Sequence, residues 1–107
     1  MKIDSIHNYK NGWVVGDFSP TLLKTNQWEM SIQRFDLGHV SDNHYHKLTT
    51  EYNIIVEGGV AFAGDKKIYG RGTIFVIEPN ETVDLEYVLD TTLVVFRDGS
   101  FPGDKWI

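Results

Sequence analysis

The chain has 107 residues, 41% of them apolar and 23% charged, with a formal net charge of −5 and no cysteine. That length fits one domain with a modest core, and the composition is that of a folded soluble chain. Disulfides, thiolate metal sites and cysteine nucleophiles are excluded together, and the ten scattered basic residues argue against a nucleic-acid partner, which needs clustered Lys and Arg.

Nothing along the chain suggests a membrane span: the longest apolar runs, such as residues 74–77 and 93–96, are four residues long. The N-terminal MKIDSIHNYKNG lacks the apolar stretch of a secretory signal, so the expected location is the cytoplasm. Lys66 and Lys67 form the one adjacent basic pair, and beside Asp65 they read as a solvated turn.

In chain order, residues 20–27 have room for one short helical turn, and no window carries helical periodicity over three turns. Trp28, Met30 and Ile32 then alternate with Glu29, Ser31 and Gln33, the pattern of a half-buried strand. Residues 52–56 form the next run and stop at Gly58-Gly59; residues 60–63 and 67–69 flank Gly64-Asp65 as a hairpin. Residues 73–77 follow the Gly70-Arg71-Gly72 turn and end at Pro79, and residues 83–89 and 92–96 form a last pair separated at Asp90. Many short, evenly spaced strands mean an all-β sandwich or barrel. The whole chain, 1–107, is one domain: a strand-and-turn extension over 1–27, a barrel over 28–97 and a tail over 98–107.

Two of the four histidines, His44 and His46, stand one residue apart. On a strand such a pair faces one way, whereas on a helix it would diverge. If Lys47 to Thr50 is a four-residue hairpin loop, His46 lies directly opposite Glu51, about 4.5–5.5 Å away between Cβ atoms, and His44 lies opposite Asn53. Two imidazoles and a carboxylate on one face suit Zn, Fe, Mn or Ni, with the oxygen ligand favouring Fe and Mn. A solvated edge hairpin, with Ser41, Asp42, Asn43 and Lys47 as its polar neighbours, explains the same residues, and spacing leaves both readings open. Of the other histidines, His7 reads as a surface residue and His39 as a rim residue. Trp13, Trp28 and Trp106 read as core or interface aromatics.

The stretch from Gly38 through His44-Tyr45-His46 and Glu51 to Gly58 resembles the first motif of the cupins at every fixed position: glycine, five residues, His-x-His, four residues, glutamate, six residues, glycine. The resemblance implies a double-stranded β-helix, or jelly-roll barrel, with His44, His46 and Glu51 as metal ligands at its open mouth. A homodimer is implied as well. The second motif, from Gly72 to Tyr87, departs from the family pattern. Glu78 takes the proline position ahead of Pro79, Asn80 takes the glycine, Val83 replaces the histidine ligand and Tyr87 replaces the asparagine. Asp84 would substitute for the lost ligand only through a bulge, because strand parity turns it away from Val83, Leu85 and Tyr87.

Three functional readings follow. In the first, a mononuclear-metal cupin acts on a small polar metabolite, with Asn53 and Tyr87 orienting it from the wall. In the second, the pocket is non-catalytic and holds a sugar-like molecule or a structural ion, the metal site having degenerated. The third is a metal-free sugar isomerase or epimerase with a histidine base.

Overall fold

The computed structural model describes residues 1–41, 44–65 and 67–106. Asp42, Asn43, Lys66 and Ile107 lie outside the described residues, and with them two polar residues of the histidine loop and half of the basic pair. Among the described residues nine strands form two sheets: β1 Trp13–Gly16, β2 Leu23–Lys24, β3 Glu29–Phe35, β4 Glu51–Glu57, β5 Gly59–Phe62, β6 Tyr69–Gly70, β7 Ile74–Ile77, β8 Leu85–Tyr87 and β9 Thr91–Arg97. One sheet has six strands in the order β2-β1-β3-β9-β4-β7, and the other has three, β6-β5-β8. This all-β double-stranded β-helix is the architecture expected. Ile55, Val60, Leu85, Tyr87, Leu93 and Val95 form the buried core.

The pairing departs from the chain-order reading in three places. Residues 20–27 hold no helical turn. Leu22 N–H donates to the Val14 carbonyl at 2.7 Å and β2 pairs in parallel with β1, so these backbone groups are committed across strands rather than along a helix. The two runs either side of Asp90 do not pair with each other. β9 is flanked by β3 and β4, which occupy both its edges, and β8 pairs with β5 instead. The hairpin of residues 60–63 and 67–69 does form, with Val60 opposite Tyr69.

The third departure is in facing. On β3, Glu29 and Ser31 point inward while Ile32 is exposed; on β4, Glu51, Asn53 and Ile55 are buried while Tyr52, Ile54 and Val56 are exposed. The alternation is as read, but at the barrel mouth its polar side faces in, because that end of the interior is a cavity and not packed core.

Candidate functional site

A cavity of about 580 Å³ opens between the sheets, and His44, His46, Glu51, Asn53 and Tyr87 all line it. Asp84, the candidate extra ligand, does not line it: its side chain is exposed, with Leu85 and Tyr87 buried on the opposite face. His39 is exposed and lies at the rim, stacked on Phe35 at 4.9 Å between ring centres, while Phe35 stacks on Tyr87 at 4.5 Å.

The hairpin that would set His46 opposite Glu51 is absent. β4 gives one edge to β7 and the other to β9, so Glu51 is opposed by Ile77 and Arg97, with no edge left for residues 44–46. Asn53 is likewise opposed by Phe75 and Val95 rather than by His44. The histidine segment pairs elsewhere, Tyr45 bridging to Trp106 through hydrogen bonds of 2.8 and 2.9 Å. Tertiary placement nonetheless brings the side chains together. The His44 and His46 rings meet edge to face at 5.1 Å, and His46 Nε2 lies 3.9 Å from Glu51 Oε1.

His46 is held from three directions. Asn80 N–H donates to its carbonyl at 2.7 Å, from a left-handed conformation (φ +69°) that asparagine tolerates, so the altered second motif still carries its turn. The Asp104 carbonyl contacts its Nδ1. The Asp104 carboxylate accepts from the amides of Lys47 and Leu48 at 2.9 and 3.1 Å. Facing a carbonyl, Nδ1 carries the proton, which leaves the lone pair on Nε2. Burial, and after it the Arg97 charge, push the His46 pKa below 6.5, against an opposing pull from the Asp104 carbonyl and Glu51. The ring is therefore neutral at pH 7. Nε2 is buried and has no hydrogen-bond partner among the described residues.

Glu51 has its partners. Arg97 donates to Oε1 from Nε at 3.0 Å and from Nη2 at 2.9 Å, and Asn53 Nδ2 donates to Oε2 at 3.2 Å. Arg97 Nη1 also binds Glu29 Oε1 at 2.6 Å, while Ser100 Oγ donates to the other Glu29 oxygen at 2.9 Å. Burial, followed by the Glu51 charge, raises the Tyr87 pKa far above its ordinary value, so its hydroxyl stays protonated. Glu29, Arg97, Ser100 and Asp104 carry none of the spacing signals that marked the histidine pair.

The donor chemistry of His44, His46 and Glu51 is right for a divalent cation, and the unpartnered Nε2 is the atom a metal would take. The arrangement is not. Both Glu51 oxygens are engaged, one of them by a guanidinium, and Val83 supplies nothing at the fourth position. Among the described residues no group of three His, Asp or Glu side chains is disposed to hold an ion.

A two-sheet barrel of short, mostly antiparallel strands is the double-stranded β-helix fold, and solved structures share that fold. A double-stranded β-helix protein from Klebsiella pneumoniae aligns over 95% of this chain and 88% of its own, with a TM-score of 0.68 and 14% identity. An RmlC-like cupin from Desulfovibrio desulfuricans aligns over 72% and 76%, with a TM-score of 0.60 and 21% identity. The capsular polysaccharide assembling protein CapF of Staphylococcus aureus aligns over 79% of this chain, with a TM-score of 0.62 and 20% identity. The chain spans only 27% to 29% of the CapF structures it matches. No protein-family model matches the sequence, and no curated protein is recognisably similar to it. No helix among the described residues is long and apolar enough to cross a membrane.

Proposed function

We propose that the mouth of this cupin-fold barrel binds a small, hydroxyl-rich polar metabolite of the sugar class, with His46 Nε2 accepting a hydrogen bond or a proton from it. One observation carries the reading: the His46 Nε2 lone pair is buried with no donor to it among the described residues, and the group it faces across 3.9 Å, Glu51 Oε1, is itself an acceptor already filled by Arg97. A ligand hydroxyl supplies that donor. Asn53 and the protonated Tyr87 flank it from the wall, and a cavity of about 580 Å³ accommodates a monosaccharide-sized molecule. A neutral imidazole poised beside a bound hydroxyl also suits proton transfer of the isomerase or epimerase type. Polysaccharide assembly, in the name of CapF, points towards the same ligand class.

Saturation-transfer NMR against a panel of neutral monosaccharides and hexuronates tests this. Wild-type protein gives saturation transfer to at least one, and His46→Ala, with an unchanged circular-dichroism spectrum, loses it. Equal signals from both proteins, or none from wild type, refute the reading.

A second reading, a mononuclear Fe, Mn, Zn or Ni site on His44, His46 and Glu51, draws on the same Nε2 atom and requires Arg97 to release Glu51. Metal analysis of wild type beside His46→Ala decides it. The chain is further read as a homodimer, supported by the exposed apolar outer face formed by Ile54, Val56, Ile74 and Val76, which are 41% to 63% exposed. Sedimentation velocity on wild type and Ile54→Lys checks this, with dimer expected for the first and monomer for the second.

A further inference from the structure

We propose that Arg97 is the resident cation of this site, neutralising Glu51 in place of a metal and barring a divalent ion from the His44, His46 and Glu51 set. The placement begins in the strand register. On β9, Arg97 is opposed on one side by Glu29 of β3 and on the other by Glu51 of β4. Directly opposed residues project to the same face, so one guanidinium lies between two inward carboxylates at 2.6 to 3.0 Å.

Arg97 is also confined. Its side chain is 17% exposed, the two carboxylates are 11% exposed, and the Trp13 ring lies 4.9 Å from the guanidinium carbon. Ser100 fixes Glu29 from behind, accepting from Asp17 N–H at 2.7 Å while donating to the carboxylate. Arginine held by two N–H contacts to one carboxylate, a third to another and an aromatic face beside them is a fixed charge rather than a mobile surface one.

A metal must come within roughly 2.0–2.2 Å of a carboxylate oxygen. Oε1, the Glu51 oxygen nearest His46, already carries two N–H donors of Arg97, so an ion there would sit against the guanidinium at short range. Like charges at such separation repel strongly in a partly buried site. Oε2, the other oxygen, faces Asn53. Two carboxylates and one guanidinium leave one formal negative charge, which favours a neutral, hydrogen-bond-donating ligand over an anionic one.

Cobalt(II) is the probe, followed by its visible absorption and by calorimetry, so the readout needs no enzymatic activity. Wild type is expected to show no His46-dependent site. In Arg97→Met/Glu29→Gln, which removes the cation together with the second carboxylate, Glu51 is released and one equivalent of Co(II) binds about 100-fold or more tighter than to wild type. Adding His46→Ala abolishes the gain. Stoichiometric Co(II) binding by wild type that His46→Ala removes overturns the proposal, as does a folded double variant that gains nothing. Should the double variant not fold, the wild-type titration alone decides, since either of its results supports or overturns. Monosaccharide binding is measured separately, so a metal-binding wild type would sink this inference and leave the ligand reading standing.

Discussion

Gly38 and Gly58 occupy equivalent places in the motif pattern, yet their replacement by alanine should have unequal consequences. Both have positive φ, +88° and +105°, so either substitution carries the left-handed penalty of about 1–2 kcal/mol. At Gly38 a Cβ would meet nothing within 4 Å, and the cost ends there. At Gly58 it would lie 2.6 Å from Thr91 Cα and closer still to the Asp90 carbonyl and the Thr91 hydroxyl. That hydroxyl is not free to move, because it accepts from Gly59 N–H at 3.1 Å and donates to Leu89 O at 2.8 Å. Backbone displacement of the overpacking kind adds about 1–3 kcal/mol, and weakening the buried Thr91 bonds adds about 1 kcal/mol more. Gly58→Ala should therefore lose about 3–6 kcal/mol. At about 4–8 °C per kcal/mol for a domain near this size, thermal unfolding should show Gly38→Ala lowered by about 10 °C and Gly58→Ala by roughly two to three times as much. Equal midpoints would refute the close-approach argument.

Ser100 is 1% exposed and satisfies both Asp17 N–H and Glu29; Ser100→Ala strands a buried donor and a carboxylate oxygen and should cost about 1.5–3 kcal/mol in urea denaturation. A loss below about 0.5 kcal/mol would show that solvent replaces the hydroxyl. His46 sets a pH dependence. Its folded pKa lies below 6.5 whereas the unfolded chain protonates near 6.5, so the unfolded state binds more protons in that window and stability falls as pH drops below 6.5. Urea midpoints from about pH 7.5 down to about pH 5 should fall more steeply for wild type than for His46→Gln; parallel curves would place His46 in a solvent-like environment.

The motif from Gly38 to Gly58 is legible because its chemistry lies within a short segment; His44 and His46 both line the cavity, although they flank an isolated bridge at Tyr45 and not a strand. Turn length did not predict who opposes Glu51, since both edges of β4 are taken by strands from the second half of the chain. Glu29 hid within an alternating run whose apolar side seemed the obvious inward one. Arg97, Ser100 and Asp104 are assembled across 46 to 71 residues, and spacing rules do not span that distance. Asn80, standing where the resembled motif has glycine, takes the left-handed conformation that asparagine tolerates.

The ladder Glu29–Arg97–Glu51 also bears on how the sheet finds its alignment. β9 is the last strand along the chain and sits between β3 and β4, and apolar neighbours such as Val94, Val95 and Phe96 would tolerate many offsets. A slip of one residue would turn Arg97 outward, bring Phe96 in against Glu29 and Glu51, and leave two buried carboxylates without a cation. One side chain at the end of the strand thus works as a key that only one alignment accepts, and the strand that completes the sheet is checked against both of its neighbours at once.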